Sequence, residues 1–177
     1  LDIYGDLAIS GTNSQLVVTA DVNWESGSTE NITGTSSIFE VRGHWNVYDG
    51  STVGIDYGFV KFTGAFSSTV KIYDPDFHFR HLIVNKDPGK YLLYSNSSTQ
   101  NLHVIGNMFV YTDAQYRQYS VRNLIVDGLF DTDGEYRFYS GTFQYNGPGI
   151  IHNPVPGSYF NNLILNFLRH STGHIHF

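Results

Sequence analysis

The stretch Val60-Lys61-Phe62-Thr63-Gly64-Ala65 returns later in the chain as Phe143-Gln144-Tyr145-Asn146-Gly147-Pro148, with apolar, polar, aromatic, polar and glycine positions in the same order. A second shared phrase follows each copy: Phe79-Arg80-His81-Leu82-Ile83-Val84-Asn85 after the first, and Phe160-Asn161-Asn162-Leu163-Ile164-Leu165-Asn166 after the other. The two phrases recur 83 and 81 residues apart, so the spacing is nearly kept. Repetition at a fixed period is the signature of stacked or solenoidal architectures. Units of such folds touch only their neighbours, which suits scaffolds and extended surfaces rather than single-pocket enzymes.

A shorter period lies inside the long one. The pattern apolar-x-apolar-x-Gly-x-apolar opens at Leu1, Phe39, Leu102 and Leu124, placing its glycine at Gly5, Gly43, Gly106 and Gly128. The last two copies are 22 residues apart. The interval from Leu1 to Phe39 is longer, and its excess falls on Asp21 to Thr35, a polar stretch that reads as a loop insertion near 21–35. A middle copy of the second phrase, Val121-Arg122-Asn123-Leu124-Ile125-Val126-Asp127, lies 42 and 39 residues from its partners. The elementary unit is therefore about 20 residues, and residues 1–177 read as one module of two imperfect super-repeats, about 1–85 and 86–177.

Each unit reads as strand. Apolar and polar residues alternate, as in a half-buried strand, and Val, Ile, Phe, Tyr and Thr are the types that suit a pleated surface. Clusters such as Tyr48-Asp49-Gly50-Ser51 and Asp131-Thr132-Asp133-Gly134 punctuate the strands as turns. The expected fold is all-β: a parallel β-helix (β-solenoid) of about nine coils, spanning on the order of 40 Å, with the repeated glycine at a corner where a side chain would clash. A β-sandwich or jelly roll is the alternative, since it also uses short, regularly spaced strands.

The order Leu-x-Val-x-Gly-x-aromatic, then Val-x-Phe-x-Gly, then Phe-x-Asn-Leu-x-Ile-Asn resembles repeats in very large secreted surface proteins of Bacteroidota and related bacteria. The resemblance covers residues 39–85 and 124–166, and 1–20 and 86–120 more loosely. His81 stands where the pattern has Asn, and Tyr145 where it has Phe. The resemblance implies a right-handed parallel β-helix in an extracellular, cell-surface, structural role, and it brings no catalytic residues.

Bulk properties fit that setting. There is no Cys, so neither disulfides nor thiol chemistry are available. Ten basic residues against 16 acidic ones give a net charge of −6, which argues against nucleic-acid or anionic-membrane partners. No apolar run is long enough to insert as a membrane-spanning helix. The first residues, Leu1-Asp2-Ile3-Tyr4, and the last, Ile175-His176-Phe177, read as ordinary strands rather than polar caps. Gly173-His174-Ile175-His176-Phe177 also resembles Gly89-Lys90-Tyr91-Leu92-Leu93, which continues onward in the first block. Two expectations follow: either the sequence is part of a longer solenoid, or Leu1, Ile3, Tyr4, Ile175, His176 and Phe177 are assembly ends that pair copies head to tail into a fibre.

Several residues are candidates for chemistry. Asp131, Asp133 and Glu135, with Asp127, surround Gly134 and offer hard oxygen ligands for Ca²⁺, the one cofactor the chain suggests; the full calcium-loop pattern is absent, and a turn bonding its own backbone explains the same residues. His174 and His176 share a strand face beside His170 and suggest a transition-metal site or a pH-sensitive contact. Asn31-Ile32-Thr33 and Asn96-Ser97-Ser98 are candidate N-glycosylation sites, Asn31 and Asn96 being the acceptors. A row of Tyr111, Tyr116, Tyr119, Tyr136 and Tyr139 suggests stacking on a glycan, against the competing expectation of an interior aromatic ladder. Arg80, Arg117, Arg122 and Arg137 read as dispersed, solvated positions. Asp74 with Asp76, or Asp131 with Asp133, would serve a polysaccharide-cleaving enzyme. No partner set or catalytic motif accompanies these pairs, so the chain reads as non-catalytic.

Overall fold

A computed structural model describes residues 1–148 and 155–166. Within them every pairing between strands is parallel. The first sheet stacks seven strands: β1 (Asp2–Ile3), β4 (Val22–Trp24), β7 (Trp45–Val47), β9 (Ser68–Ile72), β11 (Tyr91–Tyr94), β14 (Gln115–Gln118) and β17 (Glu135–Phe138). The second has ten strands. Its main path runs through β3 (Gln15–Val18), β6 (Ile38–Val41), β8 (Ile55–Gly64), β10 (Phe79–Lys86), β12 (Leu102–Val104), β15 (Leu124–Val126), β18 (Thr142–Tyr145) and β19 (Asn162–Leu165). The side branch is β13 (Met108–Val110) and β16 (Phe130–Thr132). A short third sheet holds only β2 (Asp6–Ile9) and β5 (Thr29–Ile32).

The fold is a β-solenoid of about seven turns with a spacing of about 22 residues. The turns are slightly longer than the expected length of about 20 residues. At about 4.8 Å per turn the stack spans on the order of 30 Å. The expected loop insertion near 21–35 is instead ordered coil: it contains β4 and β5. Val22, Trp24 and Ile32 are buried, together with the small polar Ser28, so a sparse apolar pattern suffices to build a turn.

Alternation puts every second residue into one continuous core. In-register columns make this explicit: Val22, Trp45, Val70, Tyr94, Gln118 and Phe138 lie one above the other in the first sheet. Gln118 is fully buried in this apolar column and is satisfied throughout. Its Oε1 accepts from Tyr116 Oη at 2.6 Å, and its Nε2 donates to the Arg122 carbonyl at 2.7 Å. Outside, amides form ladders along the axis, Asn46 to Asn23 to Asp2 and Asn166 to Asn146 to Asp127. Lys86 is buried at a corner, where Nζ donates to the Thr63 carbonyl at 2.5 Å and to Ser68 Oγ at 2.6 Å; burial pulls its pKa down to about 8.

The corners use side-chain acceptors in place of a regular ladder. Asp21 Oδ1 accepts the His44 N–H, and His44 Nδ1 accepts the Thr69 N–H one coil on. Likewise His81 Nδ1 accepts the Asn107 N–H at 2.9 Å, and Asn107 Oδ1 accepts the Leu129 N–H. Imidazole thus performs the acceptor role of an Asn or Asp, and only with Nδ1 unprotonated. Burial, then the charge of Arg80, lowers the His81 pKa from its ordinary 6.5. A group with a depressed folded pKa that is held neutral in the fold contributes stability above its unfolded pKa and loses it as pH falls below. The melting midpoint is therefore expected to drop between pH 7 and 5, and to drop less in His81→Asn, whose amide oxygen replaces Nδ1 without titrating. Equal pH slopes for the two proteins would remove His81 from this role.

Candidate functional site

The third sheet ends at β5, because the following turns run from the first sheet to the second without a strand between them. Beyond a single bridge between Thr29 and Thr52, the free edge of β5 has no strand partner among the described residues. Glu30 closes it: its carboxylate accepts the Ile32 N–H at 2.8 Å and the Asp56 N–H. A charged side chain is a standard way to blunt an open edge. Burial dominates there and raises the Glu30 pKa above its ordinary 4.5 despite the two N–H donors.

A cleft of about 520 Å³ opens where this strand is missing, walled by Glu30, the Asp49–Gly54 turn, Asp56 and the Asp74–His78 turn. The Asp56 carboxylate meets His78 Nε2 at 2.8 Å, and His78 Nδ1 lies 3.1 Å from the Asp76 carbonyl. The ring is seated over Gly54, where a Cβ would come within 2.4 Å of His78 Cε1. Asp74 is buried and its Oδ1 accepts the Asp76 N–H, which fixes the turn across Pro75. A second hollow of about 600 Å³ shares Asp56 and is walled by Thr35, Tyr57, Gly58, Arg80 and His81. Asp74 and Asp76 thus come together with Glu30, Asp56 and His78, residues that sequence reading did not single out. Glu30, Asp56 and His78 are spaced 26 and 22 residues apart, near one coil each, which was the available signal.

The other sequence candidates fare unevenly. Asp131, Asp133 and Glu135 do not form a calcium site: no group of three or more His, Cys, Asp or Glu side chains among the described residues is placed to hold a metal ion. Asp131 faces solvent on β16, and Glu135 is held by Arg137, with Nη2 at 2.5 Å and Nε at 2.7 Å. The five tyrosines separate. Tyr116 and Tyr136 are buried in the core, whereas Tyr111, Tyr119 and Tyr139 are exposed. Even so, Tyr119 and Tyr139 stack on each other at 4.3 Å, and Tyr159 packs edge-on against Tyr139 at 5.7 Å, so each ring already gives one face or edge to another tyrosine.

Arg117 and Arg137 are not dispersed but adjacent in register, and Arg117 sits 4.0 Å over the Tyr91 ring. Asn31 and Asn96 are both exposed, Asn31 on β5 and Asn96 in a turn. Leu1 and Tyr4 are exposed and Ile3 is buried at the first turn. Positions 170, 174 and 176, with Ile175 and Phe177, lie outside the described residues.

Compared with models of protein families, with curated proteins and with solved structures, the chain matches none. The geometry is therefore the basis on which function is read. It offers an acid-rich cleft with a seated imidazole and an adjoining aromatic and basic hollow.

Proposed function

We propose that this protein is a non-catalytic structural solenoid of an extracellular, bacterial cell surface, and that it continues its stack by pairing head to tail with another copy of itself. One observation supports the reading: among the described residues β1, β2 and β3 of the first turn each pair on one side only, so the other side of that turn has no strand partner there along three sheets. Such an edge is a template for a further parallel coil. Leu1, Tyr4 and Val17 are exposed on the same turn and give the contact apolar surface. The fit of the rest supports it. A continuous core and axial amide ladders make a stiff rod, and the net charge of −6 keeps its sides apart in solution. Glu30, whose pKa burial raises, is occupied in closing a strand edge, which favours a structural over a catalytic role for it.

The test is light scattering and electron microscopy of the purified chain at neutral pH. Rods that lengthen with protein concentration, with an axial repeat of about 30 Å or slightly more, are the expected result. A strictly monomeric particle at high concentration would overturn self-association, and Val17→Lys on β3 should shorten the rods if the first turn is the contact.

A further inference from the structure

We propose that the cleft beside β5 and its adjoining hollow form one binding site for a neutral saccharide. This is independent of how the solenoid stacks. Three observations converge. The two hollows share Asp56, and each by itself has the size of a small-ligand site. Ser51, only 5% exposed, lines the cleft, and its hydroxyl has no hydrogen-bond partner among the described residues. A buried polar atom left unpaired is costly, and a ligand hydroxyl would satisfy it. Finally, Tyr57 lines the second hollow at 48% exposure. Unlike Tyr48, Tyr119 and Tyr139, whose rings stack on other tyrosines, it stacks on no other ring among the described residues.

The chemistry of the walls selects the ligand. Sugar hydroxyls donate to carboxylates, and Asp49, Asp56 and Asp76 supply acceptors on one side. Arg80 on the other side supplies donors for ring and hydroxyl oxygens. The Tyr57 ring offers a flat apolar surface for the C–H face of a pyranose. Uronic or sulfated sugars are disfavoured, because the carboxylates of Glu30, Asp49, Asp56, Asp74 and Asp76 would repel them.

The test is calorimetric titration of the whole chain with linear gluco-, manno-, galacto- and xylo-oligosaccharides, beside spermine as a cationic probe and polygalacturonate as an acidic one. At least one neutral oligosaccharide is expected to bind, and Tyr57→Ala and Ser51→Ala are each expected to weaken it about tenfold or more. Neither change removes a hydrogen bond or ring contact from the fold, so the melting midpoint should stay in place and the loss reports the ligand. Four results would overturn the proposal: no binding across the neutral panel, binding unaffected by either variant, salt-sensitive binding of spermine alone, or preference for polygalacturonate.

Discussion

Replacing Trp45 by alanine is expected to cost about 4 kcal/mol, among the largest single-site losses this fold can suffer. The indole is fully buried and sits within 5.2 to 6.3 Å, centroid to centroid, of Phe39, Trp24, Phe79, Phe77 and Phe62. These rings come from three successive turns, so one deletion opens a void shared by all of them, and stacked aromatics add energy beyond their area. Trp45→Phe should cost much less, about 1–2 kcal/mol, for a specific reason. The Trp45 Nε1–H is buried without a hydrogen-bond partner, so losing it relieves an unpaired donor while the ring contacts survive. Denaturant unfolding followed by fluorescence is the measurement. Both tryptophans of the chain, Trp24 and Trp45, lie in this region, so the signal reports it directly. A loss in Trp45→Phe as large as in Trp45→Ala would mean that the indole N–H is satisfied after all.

The solenoid was legible because a strand in a stacked coil buries alternate residues, and that alternation survives in the raw sequence. The apolar-x-apolar-x-Gly-x-apolar motif that opens at Phe39 has Phe39, Val41 and Trp45 at its apolar positions, and all three are buried. Register was not legible. The matching phrases equate Leu82 with Leu163, yet Leu82 stacks with Val60 and Met108, while Leu163 stacks with Phe143, which pairs in turn with Leu124 and, beyond it, Leu102. The reason is physical. The eight-residue strand β10 is followed in the next turn by two short strands, β12 and β13, separated at Gly106, so identical patterns fall into different columns. The cleft escaped notice for a related reason. It arises where a third sheet stops after two strands, an event set by how turns of unequal length stack and not by any local motif.

Gly128→Ala is expected to cost about 3 kcal/mol, a penalty for overpacking between coils. A Cβ there would lie 2.4 Å from the Gly106 carbonyl oxygen, and the same collision repeats along the column: 2.0 Å from the Gly128 oxygen at Gly147, and 2.4 Å from the Arg80 oxygen at Gly106. Because the obstacle is backbone of the preceding turn, no rotamer can relieve it; two turns must move apart and lengthen their shared hydrogen bonds. The motif copy at Gly5 provides the control. A Cβ at Gly5 meets nothing within 4 Å, since no earlier turn precedes it among the described residues, so Gly5→Ala should change stability by about 0.5 kcal/mol or less. Neither glycine has a positive φ, so backbone conformation contributes to neither change and the comparison isolates the contact between turns. Equal losses at the two sites in denaturant unfolding would show that the repeated glycine is selected for the local bend; a loss confined to Gly128 would show that it is selected by the turn stacked against it.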